Sequence, residues 1–227
     1  MLKKLVFASA LLATFAGAYA QSSQNFGVTG QVTPGACTVT LTGGGIVDTG
    51  TVSQGTAKLY PLSNNGASTV LYSFPFKTVP ISITCAAATK VALSIVDNKS
   101  AQKLAYNVDD AARHGVSDGT AGTVAIGFYS IAFTAATMDG VNVAQFLDAA
   151  TGSATFSTTG PTAYPVGTLL PGRTISFAKI AGVTVPDALT TLGGTLGFQT
   201  FVSKPYIDAA TTVVTPTGSG TLTLVYL

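Results

Sequence analysis

The sequence contains no tryptophan and no glutamate, a single histidine (His114), two cysteines, and only 9% charged residues in 227. Each scarcity removes a class of function. One histidine and two cysteines are too few ligands, at these spacings, for a structural or catalytic metal centre. Acid–base or nucleophilic catalysis needs a positioned base, yet no Walker or His-Glu-x-x-His pattern occurs. The adjacent Asp109-Asp110 pair sits in a stretch read as a loop, where neighbouring carboxylates do not converge on one substrate atom. The expectation is therefore a protein that is not an enzyme and takes no cofactor. Without tryptophan, a sugar-stacking platform is also poorly supplied.

The little charge there is balances. Lys3 and Lys4 precede an apolar run from Leu5 to about Phe15 and the small-x-small triplet Ala18-Tyr19-Ala20, the pattern of a secretory signal peptide. That run is shorter than the ~20 residues of a membrane-spanning helix, so residues 1–20 are read as a cleaved leader. Their removal leaves nine basic residues against nine aspartates, a neutral chain with nothing to steer it toward nucleic acid or acidic lipid. Mean hydropathy is +0.47. A surface this poor in charge is expected to spend its life covered, by a chaperone, by copies of itself or by lipid. In an exported chain, Cys37 and Cys85 read as a disulfide.

Alternation of apolar and polar residues, the period of a strand with one buried face, recurs along the rest. It marks 26–41 (broken at Pro34-Gly35), 79–85, 91–95, 124–133, 173–180, 194–203 and 220–226, with turn signals at Ser63-Asn64-Asn65-Gly66, Asp118-Gly119 and Asp139-Gly140. Residues 105–122, with Asp109, Asp110, Arg113 and His114, read as a solvated polar loop. Residues 141–150 are the one candidate helix. Many short strands separated by turns indicate an all-β sandwich or barrel.

Within this pattern, Phe26, Val28, Gly30 and Val32 share one face of a segment that runs just ahead of Cys37, and Leu222, Leu224 and Tyr226 share one face of the terminal strand that ends at Leu227. A glycine among large apolar residues suits a strand that must approach another backbone closely. Together with the cysteine placement, these segments resemble the chaperone–usher fimbrial (pilin) subunits. Tyr164-Pro-Val-Gly-Thr-Leu-Leu-Pro-Gly172 resembles a fimbrial-like family of otherwise unassigned function. One departure stands out: where many pilins carry a glycine ahead of the last strand, this chain reads Val213-Val214, with glycines at 218 and 220 instead.

The resemblance implies an incomplete immunoglobulin-like β-sandwich that lacks its last strand. It implies a leader over 1–20, an N-terminal donor-strand extension over 21–33 and a pilin domain over 34–227. Phe26, Val28, Gly30 and Val32 would be donor residues, Cys37–Cys85 the staple between the first two strands, and Leu222, Leu224, Tyr226 and Leu227 the acceptor and chaperone-binding strand. The implied partners are other pilus subunits, a periplasmic chaperone and an outer-membrane usher, and the implied destination is a cell-surface fimbria with a role in adhesion. Two other readings compete: a carbohydrate-binding tip adhesin, which would have no need of a donor extension, and an outer-membrane β-barrel, which would need regular ~10-residue strands with aromatic girdles.

Overall fold

A computed structural model describes residues 36–53, 57–64, 67–104, 112–119, 123–160 and 165–227. The chain divides into two units, Met1–Thr33 and Pro34–Leu227, and the described residues belong to the second. In chain order they form β1 (Cys37–Leu41), β2 (Lys58–Asn64), β3 (Ala67–Ser73), β4 (Lys77–Thr89), β5 (Val91–Asp97), β6 (His114–Asp118), β7 (Ala125–Met138), β8 (Val141–Asn142), β9 (Gln145–Ala150), β10 (Arg173–Ala178), β11 (Leu189–Ser203), a short helix α1 (Lys204–Ala209), β12 (Pro216–Gly218) and β13 (Gly220–Tyr226).

The fold is an all-β sandwich of antiparallel strands. One sheet runs β1-β4-β11-β7-β6-β12, with β3 also pairing with β11, β2 with β3 and β8 with β7; the other runs β13-β5-β10-β9. Period two puts the large residues of each strand on one face. Ile81 and Ile83 of β4, Leu93 and Ile95 of β5, Ile131 of β7, Phe177 of β10 and Leu192 and Leu196 of β11 meet in a single buried core between the sheets. Phe177 makes an edge-on contact with Phe133, 5.4 Å between centroids. Fully burying side chains of this size contributes roughly 1.5–3 kcal/mol each. A smaller cluster, with Leu147 and Phe156, covers the outer side of the second sheet.

A Cβ at Gly197 would lie 2.3 Å from the ring of Phe76, so only glycine lets that ring lie against the sheet.

Two sequence expectations are corrected. Residues 141–150 are not helical: Asp139 (φ 50°) and Gly140 (φ 80°) both adopt left-handed backbone, the two-residue hairpin geometry, and send the chain back as β8 and then β9. The Asp139 carboxylate then accepts hydrogen bonds from the Thr190 and Thr191 amides, each 2.9 Å, and from Lys179 Nζ at 2.9 Å. Val141, the β-branched residue that opens β8, favours the strand over the helix. The second correction concerns 105–122. Residues 105–111 and 120–122 lie outside the described residues, but His114–Asp118 form a strand with every residue buried, and His114 is 0% exposed. A short polar segment can be an interior strand when its hydrogen bonds are met inside, and here they largely are.

Candidate functional site: an open edge between the sheets

The terminal strand β13 pairs with β5 from Gly220 opposite Asp97 to Tyr226 opposite Val91. Among the described residues its other edge has no strand partner. The same is true of β1, which pairs only with β4, Cys37 facing Cys85 and Leu41 facing Ile81. These two edges lie on the same side of the sandwich: the Cys37 amide donates to the Tyr226 hydroxyl at 2.8 Å. Cys37 and Cys85 are joined by a disulfide, which fixes β1 to the sheet.

Burial along this side differs sharply from that of the next strands in. Ile81 and Ile83 of β4 and Leu93 and Ile95 of β5 are buried, whereas Val39 and Leu41 of β1 and Leu222 and Leu224 of β13 are only partly buried, although all four pack on the same core. Tyr226 and Leu227 are 44% and 47% exposed. Between the sheets an open cleft of about 420 Å³ is lined by Leu41 and Ile46 on one wall, Ile95 and Leu222 on the other, and Tyr129 and Ile131 at its floor. No residue lining it carries a charge. Burial raises the Tyr129 hydroxyl pKa well above its usual range, so the phenol stays neutral there.

An apolar cleft beside an unpaired strand edge can accept an extended peptide: the edge offers backbone hydrogen bonds, and the cleft takes alternate side chains. Of the sequence-assigned residues, Leu222, Leu224, Tyr226 and Leu227 thus stand together at this edge. Phe26, Val28, Gly30 and Val32 lie outside the described residues, as do residues 1–20. Sequence reasoning missed Leu41, Ile46, Tyr129 and Ile131 as lining residues; the alternation of Val39 with Leu41 and of Tyr129 with Ile131 was the available signal.

Gly115-Val116-Ser117-Asp118-Gly119 also carries the Gly-x-Ser-x-Gly spacing of an acyl-transfer nucleophile turn. That motif works at a strand-to-helix turn with an exposed hydroxyl. Here Ser117 is inside strand β6 and 0% exposed, and its hydroxyl accepts from Lys99 Nζ at 2.6 Å. Among the described residues no group of three or more His, Cys, Asp or Glu could hold a metal ion.

Comparison with known proteins adds an assignment to this geometry. No solved structure matches the chain. The protein is similar to Protein GltF of Escherichia coli (strain K12), 38% identical over 80 residues, which is 35% of this chain and 30% of that relative. The chain thus matches under a third of that curated relative's length. A family model described as "Protein of unknown function (DUF1120)" matches residues 26–146, which begin at Phe26, take in the disulfide and the first eight strands, and span more than half of the sequence. The chain therefore belongs to the DUF1120 family.

Proposed function

We propose that the protein is a structural subunit of a surface fimbria, exported through the periplasm and polymerised by strand donation between successive copies or related subunits. The observation that carries this reading is the incompletely covered core along the β1 and β13 edges, where Val39, Leu41, Leu222 and Leu224 are only partly buried and Leu41 and Leu222 line an uncharged cleft. A strand added to β13 would meet its free backbone groups and cover Leu222 and Leu224 in one step.

The alternating segment at Phe26, Val28, Gly30 and Val32 has the chemistry of such a strand. Burying its three large side chains contributes about 2 kcal/mol each, with the ladder of hydrogen bonds in addition. Because donor and acceptor are different surfaces, the contact is head-to-tail and generates an open filament. Until the next subunit arrives, a periplasmic chaperone holds the edge and an outer-membrane usher then mediates the exchange. Low charge, +0.47 mean hydropathy and a leader-like N-terminus fit this life history.

Deletion of residues 21–33, with the leader kept, tests the assignment. The shortened subunit should still be recovered bound to its chaperone but should not donate to a following subunit. Fibres of normal length and abundance from this variant would refute the donor assignment.

A further inference from the structure

The floor of the cleft is backed by the sole histidine of the chain. His114 stands directly opposite Tyr129 in the β6–β7 ladder, and the two rings stack with centroids 4.9 Å apart and planes 24° from parallel. On its other side Tyr129 supports the place where the chain leaves one sheet for the other, between β12 and β13. A Cβ at Gly218 would lie 2.5 Å from the Tyr129 ring, and one at Gly220 would lie 3.1 Å from its hydroxyl. A side chain at 218 would therefore collide with the ring as the backbone closes over it, and Gly220 sits in tight contact with its hydroxyl. Gly218, Gly220 and Tyr129 all line the cleft.

His114 Nε2 lies 3.0 Å from the Leu169 carbonyl. A carbonyl only accepts, so the hydrogen is on Nε2 and the neutral ring presents a bare Nδ1. That Nδ1 is buried and has no hydrogen-bond partner among the described residues. As a lone pair it is tolerated; as an N–H in a cationic ring it would need an acceptor that is not in place among the described residues.

Among the described residues, the charged and titratable groups around it do not form such a bond as they stand. Asp97 of β5 already uses one oxygen for the Gly115 amide and the other for the Lys99 amide, 2.8 and 2.9 Å. Lys99 Nζ holds Ser117 Oγ and Thr217 Oγ1, both 2.6 Å, and so ties β6 to β12. Lys103 opposes a positive ring, while Asp97 favours it. Just ahead of β6, Arg113 lies 4.4 Å over the Phe128 ring, and Asp118 at the end of β6 accepts from the Tyr206 hydroxyl of α1 at 2.9 Å.

We propose that His114 and Tyr129 form an acid-sensitive latch, in which protonation of the buried imidazole loosens the β6–β12 end of the sandwich and the strand crossover that closes one end of the cleft. To reach an acceptor among the described residues, the protonated ring must shift in the stack or draw Asp97 from its present place on the Gly115 and Lys99 amides; a shift of the ring withdraws the backing of Tyr129, and a move of Asp97 loosens the start of β6. Burial lowers the His114 pKa from its ordinary 6.5, in agreement with that geometry. The unfolded or opened state therefore binds the proton more readily, and stability falls as pH drops below about 6.5, down to the folded-state value.

Having one histidine makes the test direct. The imidazole signal of the full chain is followed by NMR from about pH 7.5 to about 4.5, a range in which histidine is the main titrating side chain. Hydrogen exchange of the β6 and β12 amides, corrected for intrinsic pH effects, is measured in parallel. We expect His114 to titrate below 6.5 and the opening equilibrium of β6 and β12 to rise by up to tenfold per pH unit. The amides of β4 and β11 should be unaffected, and His114→Gln should abolish the response. His114→Phe, which keeps the stacked ring without the proton, serves the same purpose should the first variant fold poorly. Titration at or above 6.5, or the same exchange profile in wild type and variant, would overturn the proposal. It rests on the cleft's geometry and not on its occupant: failed strand donation would leave the latch intact, and an unresponsive His114 would leave the fimbrial reading intact.

Discussion

Removing the Cys37–Cys85 bond should cost about 4 kcal/mol. The bond closes a loop with a sequence separation of 48 residues, and the chain-entropy relation gives about 4 kcal/mol for that length at 25 °C. Few other contacts can absorb the loss. β1 has five residues and pairs, among the described residues, with β4 alone; its Cys37 amide is the direct link to Tyr226 of β13. The assay is urea unfolding of the Cys37→Ser/Cys85→Ser double variant against the oxidised wild type. Thermal melting offers a second readout, where 1 kcal/mol corresponds to about 2–4 °C for a chain of this size, hence a drop of about 8–16 °C. Hydrogen exchange should place the earliest opening in β1. A loss below about 1 kcal/mol, or opening that begins in β10 instead, would refute the view that the bond is what holds this edge strand.

Two further outcomes are expected. Replacing both Tyr226 and Leu227 with aspartate puts charge at the exposed end of β13 and removes the hydroxyl that accepts from Cys37; periplasmic accumulation, read by immunoblot, should be lost, and unchanged levels would argue for a self-sufficient sandwich. Asp139→Asn keeps a residue that tolerates positive φ but removes the charge. The Thr190 hydroxyl, with the Thr190 and Thr191 amides and Lys179, holds the Asp139 carboxyl well below its ordinary 3.8. Its contribution is therefore complete above 3.8 and lost as pH falls further; the asparagine variant should lack that part of the acid sensitivity in melting curves, and identical curves would contradict it.

Much of the fold was legible because half-buried strands announce themselves by alternation. Ile81, Ile83 and Cys85 face the core at every second position, and so do Leu93 and Ile95. What escaped was decided by tertiary context. Strands β2 and β3 form a hairpin in register from Lys58–Ser73 to Asn64–Ala67, yet in sequence only the Ser63-Asn64-Asn65-Gly66 turn signal showed. β6 was unreadable as a strand because Gly115 and Ser117 are buried against partners distant in sequence, Lys99 and Thr217 among them. The helix expected over 141–150 does not form because the Asp139-Gly140 turn, itself visible in the sequence, folds Val141 back onto Met138. At the cleft, the β13 residues were legible from their alternation, whereas the place of Tyr129, and of His114 stacked on it, is set by the passage from β12 in one sheet to β13 in the other.

The central claim, polymerisation through strand donation, is tested most directly by gel electrophoresis in SDS of material sheared from the cell surface, unheated and boiled, for wild type and for Gly30→Asp. A ladder of SDS-resistant multimers that collapses on boiling and is missing from the variant is the result expected. Monomers alone in both samples, or an undiminished ladder in Gly30→Asp, would contradict the account.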